Sequence, residues 1–191
     1  MSARIPIIPT IIVLAAVATM IALGVWQLGR MGEKADLLAR YKAAANASDV
    51  VAFPVAGDGA SVWFRRSQVS CDKVFSIEAV SGTSSRGQKG WVQRATCSVS
   101  PDQAVLVDLG YSRDIAKPAF AGGVVTGVIA PGPRLVADPP LAGLQPMAKP
   151  DPGDLPNNHL AYAGQWFFFA LTALIIYVLA IRRRSSVSDL P

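Results

Sequence analysis

The chain has 191 residues, 51% of them hydrophobic and 16% charged, with a mean hydropathy of +0.36; that balance excludes an ordinary soluble domain and makes the lipid bilayer a partner. Its 18 Lys+Arg against 13 Asp+Glu leave a formal +5, yet apart from Arg182, Arg183 and Arg184 the cations are scattered along the chain, which excludes the basic stripe of a nucleic-acid-binding face. One histidine and two cysteines fall short of the ligand set of a zinc site and of a thiol-rich or Met/His-rich copper carrier.

Residues 5–25, IPIIPTIIVLAAVATMIALGV, carry no charge. At about 1.5 Å per residue such a helix crosses a hydrocarbon core of about 30 Å, so residues 1–26 form the first predicted transmembrane helix. Pro6 and Pro9 fall in or before its first turns, where a missing N–H does little harm. The competing reading is a cleaved signal peptide, with Arg4 as a thin basic start and Ala22, Leu23 and Gly24 as a small-x-small triplet. Over 27–45 the apolar residues Leu28, Met31, Ala35, Leu38 and Tyr41 keep helical spacing and predict a stalk outside the bilayer. Gly29 and Gly32 each weaken it by roughly 1 kcal/mol relative to alanine, which favours a bend or break there.

A Gly/Asp/Ser-rich linker over 46–60 leads into a β-rich domain predicted for 46–156. Short alternating or β-branched runs at 62–69, 74–81, 90–99, 104–109 and 124–129 are separated by turn residues, as in an antiparallel meander that closes into a small sandwich or barrel. If 82–88 is a hairpin loop, Cys71 and Cys97 become cross-strand neighbours. An oxidising compartment would bridge them, for about 2 to 4 kcal/mol; a reducing one would leave two small buried hydrophobes. From 131 to 156 frequent prolines predict an extended strap rather than a helix.

The second apolar run, LAYAGQWFFFALTALIIYVLAI, ends at three consecutive arginines and predicts a second transmembrane helix over 157–181 with a cytoplasmic tail at 182–191. Aromatic residues at both ends match an interfacial belt. The arginine triplet puts both termini inside and the β-rich domain outside. Arg30, Lys34, Arg40 and Lys42 weigh the other way, but a long domain translocates largely regardless of charge. The expected fold class is therefore two transmembrane α-helices bracketing a small, β-rich, extracytoplasmic domain of antiparallel sandwich- or barrel-like form.

Chemistry concentrates at the outer mouth of the helices. Asn157 or Asn158 can N-cap the second span, placing His159, the one imidazole, in its first turn. Tyr162, Trp166 and Phe169 share a helical face with it. Trp26, Gln27 and Arg30 reach the same depth on the first helix. An imidazole among aromatics and cations suits a planar apolar macrocycle with anionic propionates, that is, haem. The same residue types also serve as plain membrane-interface anchors. A lone histidine supplies one axial ligand, and the other would come from Tyr162, a methionine, water or another protein. No hydrolytic triad or Gly-rich phosphate loop is present, so the chain is not read as an enzyme.

The segment LGVWQLGRMGEKADLLARY resembles the LGxWQxxR entry motif of the Surfeit-locus (Surf-one) cytochrome oxidase assembly factors, and PNNHLAYAGQWFFFALTALIIYVLAIRRR is similar to that family's second-helix motif. GQKGWVQRATCSVSPDQAVLVDLGYSRD and VVTGVIAP follow its middle blocks more weakly. The resemblance implies a protein of a bacterial-type cytoplasmic membrane or of the mitochondrial inner membrane that helps assemble haem–copper oxidase by handling haem a near the catalytic subunit. The family histidine falls on His159, with Trp26, Arg30, Tyr162 and Trp166 lining or orienting the haem, and Gln27, Asn157, Asn158 and Gln165 docking the partner. Two departures stand out: Met31-Gly32-Glu33-Lys34 lacks the usual tryptophan, and Leu109-Gly110-Tyr111 replaces Arg-Gly-Trp. The alternative is a haem-free accessory protein whose helices dock to oxidase helices through Ala161, Gly164 and Ala170.

Overall fold

A computed structural model describes residues 6–187; Arg4, on which the signal-peptide reading leans, and the last four residues of the expected tail lie outside them. The chain forms two compact units, one of the helical arms up to Leu37 and from Pro156, the other spanning Leu38–Leu155.

Two helices supply the first unit: α1, Ile7–Ala45, whose last turns from Leu38 belong to the second unit, and α2, His159–Val187. Their most apolar windows reach mean hydropathies of 2.5 and 2.0 with only 6% of each window buried, so both are long and apolar enough to cross a membrane and turn their apolar side chains outward. Pro6 precedes α1, its carbonyl accepting from the Thr10 N–H at 3.1 Å, which is where a residue without a donor fits. The helix runs through Gly29 and Gly32 without the expected break. With 39 residues it is about 58 Å long, well beyond one bilayer core, so its C-terminal part stands clear of the hydrocarbon.

The second unit is a seven-stranded sheet. Its strands are β1 (Val50–Ala52), β2 (Arg66–Cys71), β3 (Lys73–Thr83), β4 (Lys89–Ser100), β5 (Gln103–Ser112), β6 (Gly123–Ala130) and β7 (Arg134–Ala137), in the order β1-β2-β6-β7-β5-β4-β3. Only β3, β4 and β5 form a simple meander. The chain then crosses to pair β6 with β2, and β7 fills the gap, antiparallel to β6 and parallel to β5. Five strands fall on the runs expected from sequence, with two displacements. The run at 62–69 starts as a 3-10 turn (Ala60–Val62), and Phe64 adopts a φ of 68° before the strand begins. The short β1 and β7 arise inside the expected linker and strap, where three or four residues carry too little alternation to be read.

The sheet curls so that β2 comes up against β4. Asp72 alone separates β2 from β3, and its N–H bonds to the Ser98 carbonyl on β4 at 2.9 Å. Cys71 and Cys97 are joined by a disulfide with Cα atoms 5.1 Å apart, but not as hairpin neighbours: Val74 faces Cys97 across the β3–β4 ladder, and Cys71 reaches it from the end of β2. Around them Val69, Ala95, Val107, Leu109, Ile129 and Leu135 form the main core. A smaller cluster of Val92, Tyr111, Val136 and Met147 lies apart from it. There the strap bonds back to the sheet through Ser84–Met147 and Tyr111–Gln145 bridges.

At the base of α1, Tyr41 is buried against Trp63 and Phe64, with ring centroids 5.7 and 5.2 Å away. Burial, and secondarily the Asp58 carboxylate, hold its phenol above the usual tyrosine value.

Candidate functional site

Along α1 the shielded positions Thr10, Val13, Val17, Met20, Gly24, Gln27 and Met31 alternate steps of three and four. That is the spacing of a seam facing one partner helix. On α2 the matching positions are His159, Ala163, Trp166, Ala170 and Tyr177. The two helices run antiparallel, and four contacts fix their register. Thr10 and Tyr177 share a hydroxyl hydrogen bond at one end. In the middle Gly24 lies under the Phe167 ring, so close that a Cβ there would sit 2.5 Å from its Cε1. At the other end the Gln27 Oε1 lies 2.7 Å from His159 Nδ1, and Asn157 Nδ2 donates to the Met31 carbonyl at 3.3 Å.

This last end carries the sequence-derived site. A carbonyl oxygen only accepts, so His159 Nδ1 bears the proton in this pair and the Nε2 lone pair remains available. A half-buried imidazole, oriented by a second residue through its other nitrogen, is the usual arrangement for a metal ligand. Asn158 occupies the N-cap position, its carbonyl accepting from the Tyr162 N–H at 3.2 Å. Asn157 Oδ1 is buried with no partner among the described residues.

The remaining candidates are placed more loosely. Trp26 and Tyr162 keep 57% and 51% of their surface exposed, in line with interfacial anchors or with an open ring-binding face. Trp166 packs edge-on against Phe169 at 6.3 Å. Arg30 pairs with Glu33 one turn along its own helix. Gln165 is exposed. Of the four residues expected to dock a partner, Gln27 and Asn157 are engaged inside the hairpin. What sequence reasoning missed is the pairing itself, of Gln27 with His159 and of Gly24 with Phe167; the three-and-four spacing from Thr10 to Met31 was the signal that could have found it.

Among the described residues no group of three or more His, Cys, Asp or Glu gathers to hold a metal ion. Fold and site thus define a membrane protein with two long apolar helices that, in sequence, bracket a β domain. Residues 14–171 match the model of the SURF1 family, and the chain belongs to that family, the cytochrome c oxidase assembly factors. Comparison with curated proteins and with solved structures gives no match.

Proposed function

We propose that this assembly factor holds haem a at the mouth of its helical hairpin and passes it to the catalytic subunit of a haem–copper oxidase. The observation that carries the reading is the 2.7 Å contact of Gln27 Oε1 with His159 Nδ1, which leaves Nε2 as the lone-pair nitrogen. The residues fit haem in part: His159 is the one imidazole that would hold its iron. Haem a, when bound, supplies the redox iron that the oxidase uses. His159 would ligate, Gln27 would fix the ring's tautomer and orientation, and Trp26, Tyr162 and Trp166 would offer apolar ring faces. Arg30 would reach a propionate only by leaving Glu33, an exposed pair that costs little to break. In this reading both termini face the cytoplasm or its mitochondrial equivalent, supported by Arg182, Arg183 and Arg184 beyond the second span.

A second reading keeps the protein haem-free and makes the hairpin a docking face for oxidase helices. It draws on Gly164, which has nothing within 4 Å of its Cβ direction, and on the exposed Ala161 beside it; Ala170 is buried. Purification in detergent from cells that make haem a separates the two. On the haem reading the native chain carries a Soret band that His159→Ala abolishes and Gln27→Leu diminishes. Absence of haem from the native chain, with oxidase subunits still co-purifying, overturns it in favour of the docking reading.

A further inference from the structure

In the β domain, remote in sequence from the hairpin residues, Asp108 is 3% exposed and stands between two arginines from the neighbouring strands. Arg94 on β4 donates to it through Nε at 2.6 Å and Nη2 at 3.2 Å; Arg134 on β7 donates through Nε at 2.9 Å. The Nη1 of Arg134 is held by the Pro131 carbonyl. One carboxylate neutralises one guanidinium, so the trio keeps a surplus of one positive charge. Arg94 Nη1 and Arg134 Nη2 have no partner among the described residues, and the two side chains are 27% and 32% exposed.

These groups line an open cavity of ≈ 210 Å³. Val92, Val136 and Met147 supply apolar wall, and Lys149 and Asp154 also line it. Lys149 is paired with Asp138 at 2.7 Å, so it adds little net charge. Asp154 opposes any entering anion, but it is exposed, so water and salt screen it more than the half-buried guanidinium pair. A structural ion pair would need only one arginine to balance Asp108. Here a second is fixed in place from the far side of β5, so both forks are already ordered and lose little freedom on meeting an anion.

We propose that this cavity is a binding site for a carboxylate carried on a short apolar stem, whether a free organic acid or an acidic side chain of a protein partner. The guanidinium forks favour a planar carboxylate, the walls favour a hydrocarbon stem, and the single surplus charge with Asp154 nearby disfavours a dianion. The site does not depend on haem binding.

The test uses the full chain in detergent, with its arginine side-chain nitrogens labelled for NMR and sodium butyrate titrated at constant ionic strength against sodium chloride. Saturable shifts of Arg94 and Arg134 with butyrate and not with chloride are expected. Arg134→Gln, which leaves the Arg94–Asp108 pair intact, weakens binding about tenfold for the lost charge-assisted bond. Asp154→Asn, outside both hydrophobic clusters, strengthens it. Shifts that follow ionic strength alone, tighter binding of inorganic phosphate than of butyrate, or an unchanged affinity in both variants overturns the proposal. Repeating the titration on the chain captured with its oxidase partner distinguishes the sources: arginines already shifted and closed to butyrate mark a partner's side chain, and arginines still open mark a free acid.

Discussion

The helical hairpin and the β domain draw on the same apolar residue types and place them oppositely. In the hairpin Ile11, Leu14, Phe168 and Ile176 are more than half exposed, while in the β domain Ala95, Val107, Leu109, Ile129 and Leu135 are fully buried. The difference follows from the solvent each part meets. Water drives the β domain to bury apolar area, whereas lipid is as apolar as leucine and gives two helices no hydrophobic reason to associate. What holds the hairpin is therefore a close approach at Gly24 and polar contacts at its two ends, and what holds the sheet is a core closed by a disulfide.

That contrast breaks most sharply at the disulfide. Its two cysteines lie 26 residues apart, and in the chain-entropy account closing such a loop is worth about 3.5 kcal/mol. Cys71→Ala with Cys97→Ala should lower the stability of the β domain by about that amount, read as an earlier urea midpoint in tryptophan fluorescence. Helical circular dichroism from the hairpin should survive past that midpoint. A single transition that moves both signals together would show the units to be one cooperative structure.

Next in size is Gly24→Leu. Phe167 already occupies the space a side chain would need, so overpacking should cost the helix pair about 1 to 3 kcal/mol. Oxidative cross-linking between cysteines placed at Thr10 and Tyr177 should fall severalfold, with the urea midpoint of the β domain unchanged. Gly164→Leu, on a side of α2 with nothing within 4 Å, serves as the control and should leave cross-linking as it was. Equal loss in both variants would remove the close approach as the reason for Gly24.

The two regions were also unequally legible. Charge-free runs of membrane-spanning length and the arginines that stop the second one are long-range, redundant signals, and the five longer strands announce themselves by alternation. β1 and β7 do not, because a strand of three or four residues has no period to display. Nor was strand order readable: the crossing from β5 to pair β6 with β2 leaves no local trace, β7 then turns back from β6 to lie beside β5, and Cys71 meets Cys97 from β2 rather than across a hairpin. At the site, His159 was singled out by its uniqueness. Its partner Gln27 reads from sequence as a docking residue, since a helix read alone does not show which of its faces meets another helix.

A smaller effect is expected at the opposite end of the hairpin. Thr10→Val removes the hydroxyl that bonds Tyr177 while keeping the side-chain shape. Hydrogen bonds between membrane helices average only about 0.6 kcal/mol, because the separated helices find other partners. Cross-linking elsewhere along the seam, between cysteines at Val17 and Ala170, should therefore fall by less than about threefold. A collapse as large as that of Gly24→Leu would mean that polar contacts, rather than close packing, set the register.

The smallest effect, and the most specific, lies where the chain leaves α1 for the β domain. The Tyr41 phenol is held above its ordinary value of 10.0 by burial first and by the Asp58 carboxylate second. The folded state thus keeps this proton more tightly than the unfolded chain does. Its contribution is complete below the unfolded value and is lost as pH climbs through the folded one. Tyr41→Phe keeps the ring against Trp63 and Phe64 and removes the ionisation. The Tm of the native chain should accordingly fall more steeply than that of the variant between about pH 9 and pH 12, and the two should run parallel at neutral pH. Parallel curves over the whole range would show that Tyr41 ionises as freely in the folded protein as in the unfolded chain, and that the foot of the helix is not sealed against water as its packing implies.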